Sequence, residues 1–201
     1  NKTDKSDFKL NRMNQKSLFL WVVIVVIFVL SSCKEDILPK PMANLRLDYP
    51  EANYIIYNDP SCPFIFEMNE DGKIKHEKNC DLTINYPKMK ATIYLTLKKV
   101  TNTNMDSLLR DAQTLTYKHV VKADDIVEQP FVNNANNVYG MFYAVNGNAA
   151  TNAQFYLTDS TRYFVDCSVY FYAKPNYDSI YPAVSYVKND MRRLLESLKW
   201  R

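Results

Sequence analysis

The sequence predicts an α+β domain in which an antiparallel sheet packs against two main helices, behind an N-terminal segment that takes no part in the fold. Three observations carry this. Apolar residues alternate at period two in several short segments, the pattern of half-buried strands. Two longer segments place apolar residues at helical spacing, as amphipathic helices do. Turn signals and short connections separate the strands, which favours hairpins and antiparallel pairing.

The N-terminal segment comes first. Leu18 to Leu30 reads LFLWVVIVVIFVL, 13 apolar residues without a break. A spanning helix needs about 20, whereas the apolar part of a signal peptide needs roughly 7–15, with positive charge before it and small residues after it. Arg12 and Lys16 supply the charge, and Ser31 and Ser32 the small residues. Cys33 follows, so Leu30-Ser31-Ser32-Cys33 resembles a lipobox, where bacteria attach diacylglycerol to a cysteine sulfur and cleave before it. Met13 stands where such a peptide naturally begins, and residues 1–12 read as an over-long start. The expected organisation is a signal peptide over 1–32, a lipidated tether over 33–50 and one globular domain over 51–201.

The 169 residues from Cys33 onward are enough to bury a core. The chain is 47% hydrophobic and 13% aromatic, with 15 Tyr and only 3 Gly, a composition that disordered chains lack. Five of the 25 basic and two of the 22 acidic side chains precede Cys33, so the remainder balances at 20 of each. A neutral domain lacks the basic excess a nucleic-acid binder turns towards phosphates.

The domain elements follow in order. Asp36 to Pro50 holds three prolines and no period, as a tether does. Tyr54 to Tyr57 and Phe64 to Met68 are apolar, aromatic strands. Leu82 to Tyr86 and Ala91 to Leu97 alternate, placing Ala91, Ile93, Leu95 and Leu97 on one face. Met105, Leu108, Leu109, Ala112 and Leu115 make a helical stripe, with Thr103 and Asp106 in the arrangement of a capping box. That helix is expected to end near Lys118 or His119. Asp124 to Phe131 is extended, with Pro130 closing it. Val138 to Val145 is apolar on both faces, as a central strand is. Ala153, Phe155 and Leu157 alternate with Gln154, Tyr156 and Thr158, and Tyr163 to Ala173 is expected as the longest strand. A last helix from about Ser179 to Trp200 carries a stripe from Ile180 to Leu198. Asp178 or Ser179 is its expected cap, and Pro182 falls in its first turn. In element order the outline resembles the PsbP/Mog1-like α-β-α sandwich.

The cysteines divide by context. With Cys33 lipidated, Cys62, Cys80 and Cys167 remain, in a compartment that permits disulfides. Cys62 and Cys80 enclose 17 residues containing Asp71-Gly72, a turn signal expected to bring the two flanks together in a hairpin. Cys167 alternates with Val165, Val169 and Phe171 and reads as a buried thiol. A metal site is disfavoured, because no Cys-x-x-Cys is present and His76 and His119 stand alone.

Side chains with catalytic potential are few. No Gly-x-Ser-x-Gly, glycine-rich phosphate loop or His-Glu-x-x-His is present. His119 suits a base or a cation at a helix C-terminus, and Asp124, Asp125 and Glu128 suit a solvated loop. The tyrosines are more informative. Tyr94, Tyr156, Tyr170 and Tyr172 lie on the more polar face of their strands. If that face is open, they offer rigid amphipathic rings to a partner; if a helix covers it, they hydrogen-bond at a rim.

Several long strings resemble one family. They are Leu115-Thr116-Tyr117-Lys118-His119-Val120, Lys122-Ala123-Asp124-Asp125-Ile126, Val138-Tyr139-Gly140-Met141-Phe142-Tyr143, Asn148-Ala149-Ala150 with Ala153-Gln154-Phe155-Tyr156, and Phe171 through Ile180. With Cys33 and the following Lys34-Glu35-Asp36, they resemble the gliding-motility lipoprotein GldD family over the mature chain. Lys34-Glu35-Asp36 is also similar to an export signal of Bacteroidota lipoproteins, and equally to a plain solvated tether. The pair Cys62 and Cys80 fits the family.

The resemblance implies a Bacteroidota envelope lipoprotein required for gliding, working with other gliding proteins and the type IX secretion machinery. It implies no enzymatic activity and no cofactor beyond the acyl lipid on Cys33. The outer membrane is favoured over the inner, with a periplasmic or surface-facing domain. An alternative is an envelope lipid- or glycan-binding lipoprotein with a pocket between sheet and helix.

Overall fold

The computed structural model describes residues 19–23, 49–118, 122–172 and 177–201. The chain divides into two units, Asn1–Met42 and Ala43–Arg201. In the first, residues 19–23 are helical. No helix among the described residues is long and apolar enough to cross a membrane. Cys33, Lys34-Glu35-Asp36 and His119 lie outside the described residues.

The second unit is α+β with antiparallel sheets. In chain order it runs β1 (Tyr54–Tyr57), β2 (Phe64–Asn69), β3 (Lys73–His76), β4 (Leu82–Tyr86), β5 (Ala91–Lys99) and α1 (Met105–Tyr117). It continues with β6 (Ala123–Asn133), β7 (Val138–Gly147), β8 (Thr151–Thr158), β9 (Tyr163–Phe171), α2 (Tyr177–Ser197) and β10 (Lys199–Trp200). A seven-stranded sheet has the order β3-β4-β5-β9-β8-β7-β6, and a three-stranded sheet the order β1-β2-β10.

The period-two alternation builds the layers. In the large sheet Ile93 pairs with Val169, Leu95 and Phe155 each pair with Cys167, and Phe142 pairs with Phe155. Directly paired residues share a face, so these form one buried apolar layer. Onto it pack Val187, Met191 and Leu194 of α2 and Phe64, Phe66 and Met68 of β2. Each fully buried side chain of this size contributes about 1.5–3 kcal/mol. On the opposite face Phe164 and Tyr156 meet Leu108 and Ala112 of α1. The layering is therefore α-β-α, with the small sheet sharing the α2 layer.

Several details depart from the sequence expectation. Asp71-Gly72 does form a tight turn: Gly72 N–H donates to Asn69 O, and Asp71 N–H to Asn69 Oδ1, both at 3.0 Å. It does not make a hairpin, because β2 and β3 belong to different sheets. The turn is a crossover, and a Cβ on Gly72 would stand 2.7 Å from Ile84 Cγ2. The disulfide Cys62–Cys80 is present, with the Cα atoms 5.6 Å apart. It links a residue just before β2 to one just after β3, so it ties one sheet to the other rather than closing a hairpin.

Pro130 does not end its strand. β6 continues to Asn133 and, at eleven residues, exceeds β9. It is an edge strand, where a residue without an N–H is tolerated. Residue Asn104, not Thr103, precedes α1, and its side chain makes no cap; it accepts instead from Thr101 N–H at 2.7 Å. Helix α2 starts at Tyr177, which places Asp178 and Ser179 inside the helix and Pro182 beyond its first turn. The helix stops at Ser197, and Lys199 and Trp200 pair with Ile65 and Phe64 as β10.

Candidate functional site

The polar face of the large sheet is half covered. Helix α1 lays Leu108 and Ala112 against Phe164, with Tyr156 packed at the margin. The Tyr156 ring stacks on Phe164 at 5.3 Å and 10°. Gln154 Nε2 bridges sheet and helix, donating to Ala112 O at 3.3 Å and to Asp166 Oδ1 at 3.4 Å. Burial pushes the Asp166 carboxyl above its usual range. Tyr156 is therefore a packing residue, not part of an open surface.

The other three tyrosines stand together beyond the cover of α1. Antiparallel pairing sets β5 beside β9 and puts Tyr94, Ser168 and Tyr170 on one face. Tyr94 and Tyr170 meet edge to face, with ring centroids 5.7 Å apart and planes at 73°. The Tyr94 and Tyr172 hydroxyls hydrogen-bond to each other, and that bond raises the Tyr94 pKa. Tyr94 is 38% exposed and Tyr172 63%. They line an open cleft of about 480 Å³ with Lys122, residues 148–150, Phe171 and Ile180. Asn148 Oδ1 accepts from Tyr177 N–H at 2.8 Å, which holds the β7–β8 loop against the start of α2.

Lys122, Asn148 and Ile180 carry no local signal of this role. Lys122 and Asn148 come from two separate connections and Ile180 from the first turn of α2, so they meet only through tertiary packing. Thr151, directly opposite Tyr170 in the sheet, was equally invisible. It is buried, and its Oγ1 has no hydrogen-bond partner.

Elsewhere the reactive groups are engaged structurally. Asp190 on α2 is 3% exposed. Its carboxylate accepts from Tyr54 Oη at 2.8 Å and Asn69 Nδ2 at 2.9 Å. Burial raises its pKa, while the hydrogen bonds from Tyr54, Asn69 and Tyr86 act in the opposite direction. Burial pushes the Cys167 thiol well up. Near the disulfide, Asp59 accepts from Ser61 N–H and Oγ, which lower its pKa, and lies 3.4 Å from His76 Nδ1. The Ser61 hydroxyl thus donates to the Asp59 carboxylate. Asp125 accepts from Asn146, and Glu128 from Tyr117. Among the described residues no group of three or more His, Cys, Asp or Glu is placed to hold a metal ion.

A family model described as gliding motility lipoprotein GldD matches residues 34–200. The chain belongs to that family. The matched stretch starts directly after Cys33 and spans every element of the second unit. Membership in the GldD lipoprotein family carries association with gliding motility and with a membrane of the cell envelope. No curated protein matches the chain. Among solved structures it is similar to the solution structure of cyanobacterial PsbP (CyanoP) from Synechocystis sp. PCC 6803, at 10% identity and a TM-score of 0.46, over 75% of this chain and 94% of that one.

Proposed function

We propose that this GldD-family domain is a structural or assembly component of the gliding machinery and of the type IX secretion apparatus, acting by docking rather than by catalysis. A lipid on Cys33 holds it to the envelope, with the outer membrane favoured, in a bacterium of the Bacteroidota. The observation that carries the docking reading is the tyrosine group at the open end of the sheet. The rings of Tyr94 and Tyr172 are exposed, yet each hydroxyl is fixed by the other. Such preordered aromatics lose little entropy on binding and suit interface anchors.

The test is a set of point variants scored for spreading motility, with protein level and melting temperature as controls. Tyr170→Ala and Tyr172→Ala are expected to weaken docking by about 2 kcal/mol or more and to stop spreading while the protein stays folded and membrane-bound. Affinity purification of the lipidated chain should recover gliding or secretion proteins, and the two variants should lose them. His119→Gln is expected to leave spreading intact. Normal spreading in both tyrosine variants, beside loss in a stable His119→Gln protein, refutes docking and favours catalysis.

A further inference from the structure

We propose that Lys188 and Asn146 join in an intramolecular isopeptide bond, with Asp125 moving the proton between them. The inference stands apart from docking and concerns how α2 is fastened to the large sheet.

The three side chains come from three elements. Asn146 lies near the end of β7, on the face that carries Phe142 and Ala144, since residues two apart share a face. Those two belong to the core that Val187 and Met191 of α2 also enter. Asp125 stands directly opposite Asn146 on β6, just past a break in the ladder register after Ala123; such irregularities re-aim side chains. Lys188 comes from α2, one turn before Arg192, whose guanidinium lies over the Phe142 ring at 4.8 Å. Helical spacing therefore sets the lysine along the same strand.

The Asn146 amide is held from both ends. Its Oδ1 accepts from Lys188 Nζ at 3.4 Å and from Tyr177 Oη at 3.2 Å, and its Nδ2 donates to Asp125 Oδ1 at 2.8 Å. Two donors and one carboxylate fix which end is oxygen and which is nitrogen. Tyr177 is itself clamped, because its N–H donates to Asn148 Oδ1 at 2.8 Å. Burial lowers the Lys188 pKa and the Arg192 charge acts in the same direction, against the attraction of Asp125. The neutral amine is the nucleophilic form. Burial, then Tyr181 and the nearby carboxylates, raise the Tyr177 pKa, so its hydroxyl keeps the proton it donates.

These are the parts an acyl transfer needs: an amine, a carbonyl whose oxygen is already hydrogen-bonded, and a carboxylate on the leaving nitrogen. The Nζ lone pair attacks Asn146 Cγ, and the carbonyl pair moves onto Oδ1, where the Tyr177 hydroxyl stabilises it. Asp125 accepts the proton shed by Nζ and passes it to Nδ2. The Cγ–Nδ2 bond breaks, ammonia leaves, and an Nζ–Cγ amide remains. No oxidant or cofactor enters the balance. Lys188 starts on the oxygen of the group it attacks, and its flexible stem allows the shift to the adjacent carbon. Such proximity supplies the effective concentration that free amines and amides lack. Gly147 N–H is the rival nucleophile, because an Asn-Gly pair closes to a succinimide with loss of the same ammonia. Only the isopeptide joins two distant segments.

The experiment takes the full protein, purified from membranes in detergent, and reduces, denatures and digests it with trypsin before mapping the peptides by mass spectrometry. The expected result is a branched peptide joining the Asn146 and Lys188 segments, lighter by one ammonia than the two together, with no cleavage after Lys188. Lys188→Arg, which stays charged, should give the two segments separately. Asp125→Asn, which keeps a hydrogen-bond acceptor for Asn146, should cut the branched fraction tenfold or more while the melt still shows a folded domain. The native chain alone decides whether the bond forms, whatever the stability of the variants. Absence of the branched peptide from it overturns the inference. So does ammonia loss confined to the Asn146-Gly147 segment, which marks a succinimide, or a branched fraction undiminished in Asp125→Asn.

Discussion

Removing the Cys62–Cys80 bond should loosen the attachment of one sheet to the other. The bond closes a separation of 18 residues, and a crosslink over that length stabilises by about 3 kcal/mol in the chain-entropy model. For a domain of this size each kcal/mol moves the midpoint by roughly 2–4 °C, so a drop of roughly 6–12 °C is expected. Cys62 is 3% exposed, with its sulfur 3.7 Å from the Tyr57 hydroxyl. A serine there finds a polar neighbour, so Cys62→Ser and Cys80→Ser should lose similar amounts. The double variant should lose no more than either, since one bond is lost only once. Circular-dichroism melts of the three variants, each with and without reductant, make the comparison. Additive losses would refute the reasoning. So would a thiol titration of denatured, unreduced protein that finds three free cysteines besides Cys33, because among the described residues Cys167 alone is free.

Four further outcomes are expected. The raised pKa of Asp190 means that its stabilising contribution is full below the unfolded value of about 3.9 and is lost as pH rises through the folded value. Urea titrations from pH 4 to 7 should therefore show Asp190→Asn gaining on the native protein as pH rises, and parallel curves would contradict this. Gly140→Ala would place a Cβ 2.0 Å from the Tyr156 carbonyl oxygen; strand β7 or β8 must shift, at a cost of roughly 1–3 kcal/mol, measurable as a lower urea midpoint. Tyr156→Ala, unlike Tyr172→Ala, should lower the melting temperature, because its ring is stacked under α1. Cys33→Ser should take up no tagged fatty acid in metabolic labelling and remain as the uncleaved precursor; label in the variant would sink the lipid assignment.

Strands with clean alternation were legible from sequence, because one face is uniformly apolar while the other carries polar and aromatic side chains. Residues Ala91 to Leu97 and Tyr163 to Phe171 need nothing beyond that rule. Strand β3 was not legible. Lys73-Ile74-Lys75-His76 holds one apolar residue, and its pairing with β4 is set by the crossover at Gly72. The final strand was hidden by its neighbour. Leu198 continues the apolar stripe of α2 although the helix has ended, and Trp200 is drawn into pairing by Phe64. The disulfide partners were legible as a pair, but the hairpin used to join them was not there. At the tyrosine face, the alternation groups Tyr94, Tyr156, Tyr170 and Tyr172 on one side; the structure leaves Tyr94 and Tyr172 exposed and packs Tyr156 on Phe164 beside α1. Whether a helix lies over a given stretch of sheet is a tertiary fact, and strand periodicity is the same on either side of its boundary.

The entry of the chain into β1 has a mechanical consequence. Antiparallel β1 and β2 meet with Tyr54 opposite Asn69, so tension arriving from the N-terminal side acts where this strand pair is open and easiest to peel. That point is riveted. Asn53 and Glu70 are joined by a backbone and a side-chain hydrogen bond of 2.8 and 2.7 Å. Tyr54 is bonded to Asp190 of α2 and lies under the Arg193 guanidinium, and Tyr49 packs against Tyr186 of the same helix. A pull is thus handed within a few residues from the strand to the longest helix and shared among its contacts. Peeling must break the rivets together before the first ladder bond opens. Under the proposed lipid tether, that arrangement sets several contacts against the opening of the first ladder bond.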